Sequence, residues 1–285
     1  MSEIIATNRF QATVDYLQLS VDELNSNINT AKKAFEHFYS LWQDAVTERF
    51  GRDEAIQLTE KVYPTLDKHG GDLDKVFLDD LNFIWQIIPH APQLVTFATL
   101  VGNALPESLT DENVRALTSQ SDLVLVWNLC TLAYVMQTSR WVETLYKTSS
   151  REIALQLEKE VWVDRGGAED DLRYGLVAAG GEKGNVETLF RGFQFAPGEV
   201  GLVDAEFHLS NRNYGTIVHR RCPAHDRFRD IDKQRLENSC VICVIAMRLS
   251  GEMVNEKIRC SPASLPPHMK NEDHACKWEY WVEQV

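Results

Sequence analysis

The stretch EVGLVDAEFHLSNRNYGTIVHRRC, residues 199–222, decides the fold class of this 285-residue chain. Both halves of the stretch alternate apolar and polar side chains, which is the period of a strand with one buried face. The polar turn Asn211-Arg212-Asn213 separates the halves, so the stretch is predicted to be a β-hairpin. Upstream, from residue 1 to about 195, apolar residues recur instead at the three- and four-residue steps of helices.

Three segments downstream complete the predicted sheet. EMVNEKIRC (252–260) and ACKWEYWVEQ (275–284) have the pattern of strands. Between the hairpin and these strands, the apolar run SCVICVIAMRLSG (239–251) predicts a buried helix that ends at Gly251. The sequence therefore predicts an α+β fold, with an N-terminal helical layer and a C-terminal four-stranded antiparallel sheet whose two halves are joined by a buried crossover helix.

The helical part contains a match to itself at a spacing of 99 residues. Residues 42–63 and 141–162 align without a gap and are identical at six of 22 positions, among them Trp42 with Trp141. The match favours an old duplication of a helix pair, and the alternative is that two amphipathic pairs converged on one pattern. We therefore expect a helical domain with a degenerate repeat over residues 1–120 and an α+β domain over residues 121–285.

Composition and charge exclude several classes of partner. The net charge of −13 opposes binding to nucleic acid or to an anionic membrane surface, because both need a dense field of Lys and Arg. The longest apolar window, residues 123–136, is too short to span a bilayer. The N-terminus lacks the basic and apolar regions of a signal peptide, so we expect a cytoplasmic protein whose cysteines are reduced.

Five of the six cysteines fall in the last 64 residues. Cys240 and Cys243 are three residues apart on a predicted helix and so share a face. Cys222 and Cys260 end predicted strands and Cys276 begins one, so these thiols could converge beside that helix. Three uses stay open: a zinc site formed by Cys240, Cys243, Cys260 and Cys276, with His225 or His274 as substitute ligands, a reactive thiol, or packing.

Cys222 is the candidate nucleophile with the most basic sequence neighbourhood. It follows His219-Arg220-Arg221 and precedes His225, a candidate acid or base, and such groups stabilise a thiolate. Cys240 and Cys243 are the other catalytic candidates. His219 and Arg221 share one strand face, where an arginine suits a substrate carboxylate, although a solvated strand end has the same pattern. Trp278 and Tyr280 are candidates to line a pocket or, alternatively, the core.

These motifs together resemble an uncharacterised domain family related to the L-2-amino-thiazoline-4-carboxylic acid hydrolases. They are Cys222-Pro223, Cys240 with Cys243, Cys260, and the ending Cys276-Lys277-Trp278-Glu279-Tyr280, and the resemblance covers roughly residues 141–285. More distantly, the chain is similar to the four-vinyl-reductase-type small-molecule-binding domain. The resemblance implies either the opening of a small cyclic amidine or the binding of an apolar ligand, in some relatives beside a structural zinc. The spacing of Glu256, Cys260 and Cys276 departs from that zinc pattern.

Two functional hypotheses follow. The first is a cytoplasmic hydrolase that opens a small cyclic amide- or amidine-like substrate at a C–N bond. The second is a small-molecule-binding or enzyme-accessory domain whose cysteines are structural. In both cases the expected partner is a small molecule, with neither nucleic acid nor membrane, and the chain acts as a homodimer or as a subunit of an enzyme complex. Zinc is the one cofactor that the cysteines suggest.

Overall fold

The structure is a computed structural model that describes residues 16–66, 71–87, 119–181, 183–200, 204–266 and 274–283. It confirms the predicted α+β class. The described chain forms two compact units, which divide between Arg165 and Gly166. We predicted the boundary at residue 120, but the long helix that begins there packs along the first helix of the chain, so residues 120–165 belong to the helical unit.

The helical unit contains five α-helices among its described residues. They are α1 (Val21–Phe50), α2 (Arg52–Val62), α3 (Leu73–Ile87), α4 (Gln120–Thr148) and α5 (Arg151–Lys159), and a π-helical turn (Glu160–Asp164) follows α5. A capping box starts α1: the Glu23 backbone N–H donates to Ser20 Oγ at 3.2 Å, and the Ser20 backbone N–H donates to Glu23 Oε2 at 2.7 Å. None of the described helices is both long enough and apolar enough to cross a membrane.

The two sequence repeats form equivalent helix pairs, α1–α2 and α4–α5. Trp42 and Trp141, which the repeat equates, are both buried and stack with ring centroids 5.7 Å apart and planes 5° apart. The contacts between the pairs are reciprocal. Gln137 Nε2 donates to the Phe35 carbonyl at 2.9 Å. At the spacing of 99 residues, Gln137 is equivalent to Phe38 and Phe35 is equivalent to Tyr134. The equivalent pair, Phe38 and Tyr134, is also in contact, with ring centroids 4.8 Å apart. This reciprocity supports the duplication.

The α+β unit contains one four-stranded sheet and four helices among its described residues. The helices are α6 (Gly167–Ala178), α7 (Val186–Phe195), α8 (Pro223–Phe228) and α9 (Lys233–Val254), and the strands are β1 (Asp204–Asn211), β2 (Tyr214–Arg221), β3 (Ile258–Ser264) and β4 (Cys276–Val282). The strand order is β1-β2-β4-β3 and every pair is antiparallel, as predicted. The core lies where α7 and α9 pack against one sheet face around Phe190, Tyr280 and Trp278.

The crossover helix α9 differs from its prediction in length and in burial. Asp232 caps it, accepting a hydrogen bond from the Arg235 N–H at 2.9 Å, so the helix begins in polar sequence upstream of the apolar run. It continues to Val254, and β3 begins at Ile258 rather than at residue 252. Val241 and Val244 are exposed, so the crossover helix is buried on the side that packs against the sheet and open to solvent elsewhere. A helix that packs on a single sheet face covers only one side of its own surface.

Candidate functional site

A cysteine and a histidine meet on the two central strands, at one end of the sheet. His219 on β2 is the register partner of Cys276 on β4, so their side chains leave the same face of the sheet. His219 Nδ1 lies 3.0 Å from Cys276 Sγ, and the Trp278 indole N–H donates to the same sulfur at 3.3 Å. Cys276 and His219 are 8% and 7% exposed. The sheet therefore holds a thiol and an imidazole at hydrogen-bond distance in a mostly dry environment.

A carboxylate occupies the other side of the imidazole. Glu199 follows the end of α7, where its backbone N–H donates to the Ala196 carbonyl at 2.9 Å. Its Oε2 lies 3.5 Å from His219 Nε2, and both atoms are buried without another hydrogen-bond partner among the described residues. Cys276, His219 and Glu199 thus form a thiol–imidazole–carboxylate array, which is the order of groups in a base-activated nucleophile.

The charge state of His219 follows from its two neighbours. Burial by itself lowers the pKa of His219, but the Glu199 carboxylate and the hydrogen bond with Cys276 outweigh burial and hold the pKa well above its ordinary value. The carboxylate and the sulfur therefore favour the imidazolium form of His219. An imidazolium in contact with a cysteine sulfur is the environment in which cysteine nucleophiles react as thiolates.

The underside of α9 opens to solvent next to this array. One side of the helix carries residues at four- and three-residue steps: Leu236, Cys240, Cys243, Met247, Ser250 and Val254. Both ends of this stripe are buried, whereas Cys240 is half-buried and Cys243 is exposed. Solvent therefore reaches this side of α9 at Cys240 and Cys243, between buried residues.

Four of the other thiols have a raised pKa. Burial raises the pKa of Cys222 and raises that of Cys240 to about 11. Burial also raises the pKa of Cys260 to about 11 and that of Cys130 to about 12. These four thiols are neutral at pH 7.

The basic neighbourhood predicted for Cys222 is neutralised in the structure. Arg221 Nε lies 3.2 Å from Asp226 Oδ2, and His225 Nδ1 lies 3.5 Å from Asp226 Oδ1. Arg220 leaves the other sheet face, where it pairs with Glu206 at 3.0 Å. Cys222 itself begins α8 as its N-cap residue. Both arginines are thus paired with carboxylates, and the structure offers Cys222 less activation than the sequence suggested.

The predicted metal ligands do not form a metal site. Among the described residues, no group of three or more Cys, His, Asp or Glu side chains is placed to hold a metal ion. The pKa of Cys260 responds to Arg248, Glu252 and Tyr280 rather than to the other thiols, because Cys260 lies further along the sheet, opposite Tyr280. The structure therefore lends no support to zinc.

The two aromatic candidates belong to the floor of the site. Trp278 is 1% exposed and supports the Cys276 sulfur, and Tyr280 is fully buried and donates to the Met247 carbonyl at 3.2 Å. Sequence reasoning proposed Cys276 only as a metal ligand and missed Glu199. The His219–Cys276 contact required the order of the strands, which no local pattern contains.

Comparison with known proteins identified no relative. No family model, no curated protein and no solved structure matches the chain.

Proposed function

We propose that the protein is a thiol-dependent hydrolase that opens a small cyclic amide- or amidine-like substrate at its C–N bond. The observation that carries the proposal is the array of Cys276, His219 and Glu199, in which a sulfur and a carboxylate flank one buried imidazole at 3.0 Å and 3.5 Å. Cys276 replaces Cys222, Cys240 and Cys243 as the nucleophile, because it alone among the six cysteines contacts an imidazole in the described residues.

Each member of the array has a defined step. The Cys276 thiolate attacks the carbon of the C–N bond, and the His219 imidazolium gives its proton to the ring nitrogen as that bond breaks. The ring-opened product, now an amine, stays bound to sulfur as a thioester when the substrate is an amide. Neutral His219 then takes a proton from water while the hydroxide attacks the thioester, and thiolate and imidazolium return. Glu199 orients the imidazole and stabilises its positive charge.

The surroundings support a small substrate. The reacting groups Cys276 and His219 are nearly buried, which favours compact molecules over peptides. Arg221 shares its strand face with His219 and keeps 47% of its side chain exposed, so we assign it to a substrate carboxylate in exchange for Asp226. A reactive thiol persists in a reducing compartment, and all six cysteines are free, so we propose a cytoplasmic protein.

The near-complete burial of Cys276 favours a second candidate, a binding domain that holds an apolar ligand without turnover. One experiment separates the two. The protein is incubated with a panel of small cyclic amides, lactams and cyclic amidines, and ring opening is followed by mass spectrometry. The hydrolase proposal predicts turnover that Cys276→Ala abolishes and that His219→Asn lowers about 100-fold or more.

Cys222→Ala is the matched control, since it removes a neighbouring thiol without an imidazole contact and is expected to keep most of the activity. Circular dichroism confirms that each variant is folded. Turnover that survives Cys276→Ala in a folded protein would refute the nucleophile. Saturable ligand binding without turnover by any panel member would favour the binding domain.

A further inference from the structure

The outward side of α9 has an apolar centre and charged ends. Val241 and Val244 are 49% and 37% exposed. Two exposed charged residues precede the valines on α9, Lys233 and Glu237, and two follow them, Arg248 and Glu252. These six residues follow one another at steps of three or four, so they form one outward stripe, which is separate from the stripe that carries Cys240 and Cys243.

The order of charges along the outward stripe makes it complementary to itself. In an antiparallel pair of α9 helices related by a two-fold axis, Val241 of one copy meets Val244 of the other. The same pairing brings Glu237 against Arg248 of the second copy and Lys233 against Glu252 of the second copy. In a parallel pair, each charged residue would instead lie against the same residue of the second copy, so like charges would meet. The charges and the apolar centre of the outward stripe therefore both favour a second copy of the chain, with its α9 antiparallel.

We infer that the outward stripe of α9 is the interface of a homodimer in which the two α9 helices pack antiparallel. The stripe from Lys233 to Glu252 is about 28 Å long at the rise of an α-helix. One helix pair covers less area than the roughly 1,600 Å² of a standard interface, so we expect a weak dimer with a dissociation constant in the order of micromolar. Arg248 has a partner within its own chain, Glu252 at 3.7 Å, which is long enough to be exchanged for Glu237 of the second copy.

Charge reversal tests both the interface and its orientation. Sedimentation is measured for the full chain from about 1 to 100 µM, concentrations chosen to bracket the expected dissociation constant, with a phosphine reductant that excludes disulfides through Cys243. Glu237→Arg sets an arginine against Arg248 of the second copy at both ends of the interface, and Arg248→Glu sets two glutamates together in the same way. Each single variant is expected to dissociate about tenfold or more readily than the wild type.

A mixture of the two variants is the decisive arm. In the mixed dimer, the arginine introduced at position 237 of one chain meets the glutamate introduced at position 248 of the other, and the native Arg248 and Glu237 meet at the opposite end. An equimolar mixture is therefore expected to dimerise more tightly than either variant alone. The double variant Glu237→Arg/Arg248→Glu is expected to dimerise as the wild type does. A wild type that remains monomeric at the highest concentration overturns the inference and leaves the stripe to a different partner. A dimer that tolerates both single reversals overturns the interface.

Discussion

Gly175 sets the distance between α6 and α7, the helix whose end carries Glu199. A Cβ added at Gly175 would lie 2.2 Å from the Gly192 carbonyl oxygen, 2.6 Å from the Ala196 nitrogen and 2.8 Å from the Ala196 Cα. An ordinary carbon–oxygen contact is about 3.3 Å, so α7 must retreat by about 1 Å. All three obstructing atoms belong to the backbone, and no rotamer change can relieve the contact.

We therefore expect Gly175→Ala to lower the free energy of unfolding of the α+β unit by about 1–3 kcal/mol, the usual cost of overpacking. Helix propensity alone predicts the opposite sign, because alanine stabilises a helix interior by about 0.5–1 kcal/mol relative to glycine. The sign of the change thus decides between the two effects. The assay is urea unfolding followed by circular dichroism, with hydrogen exchange by mass spectrometry to assign the loss to residues 166–283.

Gly181→Ala is the control, because its added Cβ would lie 3.4 Å from Thr188 Cγ2, an ordinary contact. We expect that variant to stay within about 0.5 kcal/mol of the wild type. If Gly175→Ala is as stable as Gly181→Ala, the close approach of α6 to α7 is refuted. Since Ala196 holds the Glu199 backbone, the same displacement is expected to weaken the contact between Glu199 and His219.

Three further predictions follow from buried polar groups. Burial raises the pKa of Asp80 to about 6 despite its contact with Arg140 at 2.6 Å, so the folded state holds a proton that the unfolded chain loses near pH 4. The protonated Asp80 contributes up to about 3 kcal/mol to the free energy of unfolding below about pH 4, and this contribution is lost as the pH rises through 6. Asp80→Asn should therefore remove this pH dependence from urea midpoints measured between pH 4 and 7. Gln137 accepts from the Tyr63 hydroxyl at 3.0 Å and donates to the Phe35 carbonyl, which lies inside α1. Gln137→Leu therefore leaves the buried Tyr63 hydroxyl without this acceptor and should cost about 1–3 kcal/mol in the same assay, whereas the exposed control Gln57→Leu should cost almost nothing. Because the pKa of His219 is raised in the folded state, its protonated form stabilises the fold below about pH 6.5, and this stabilisation is lost as the pH rises through the pKa of the folded state. We expect the wild type to lose more stability at alkaline pH than His219→Asn does. Equal losses in the two proteins would contradict the raised pKa of His219.

The sequence predicted those parts of the fold that depend on local periodicity. The alternation on either side of Asn211-Arg212-Asn213 sufficed for the hairpin, because a strand with one buried face repeats every second residue. The match of Trp42 with Trp141 anticipated two helix pairs, and these residues stack in the core. The length of α9 was missed because its first turns are polar and depend on the cap at Asp232.

The candidate site depends on long-range order and so was predicted only in part. Cys276 and His219 are 57 positions apart and meet because β4 inserts between β2 and β3, which neither strand's own sequence states. Glu199 stands after a helix end in a position that has no distinctive pattern. The basic residues next to Cys222 in the sequence made it the candidate nucleophile, but in the fold each of these side chains lies beside a carboxylate. Sequence proximity of charges is therefore weaker evidence for activation than contact across the sheet.

The central claim is that His219 activates Cys276, and the rate of alkylation of Cys276 at pH 6 tests it most directly. Native protein is treated with iodoacetamide, and each cysteine-containing peptide is quantified over time by mass spectrometry, in the wild type and in folded His219→Asn. We predict that Cys276 reacts faster than the exposed Cys243 in the wild type, and that His219→Asn slows Cys276 about tenfold or more while leaving Cys243 unchanged. Slower reaction of Cys276 than of Cys243 in the wild type, or an equal rate for Cys276 in both proteins, would contradict the account.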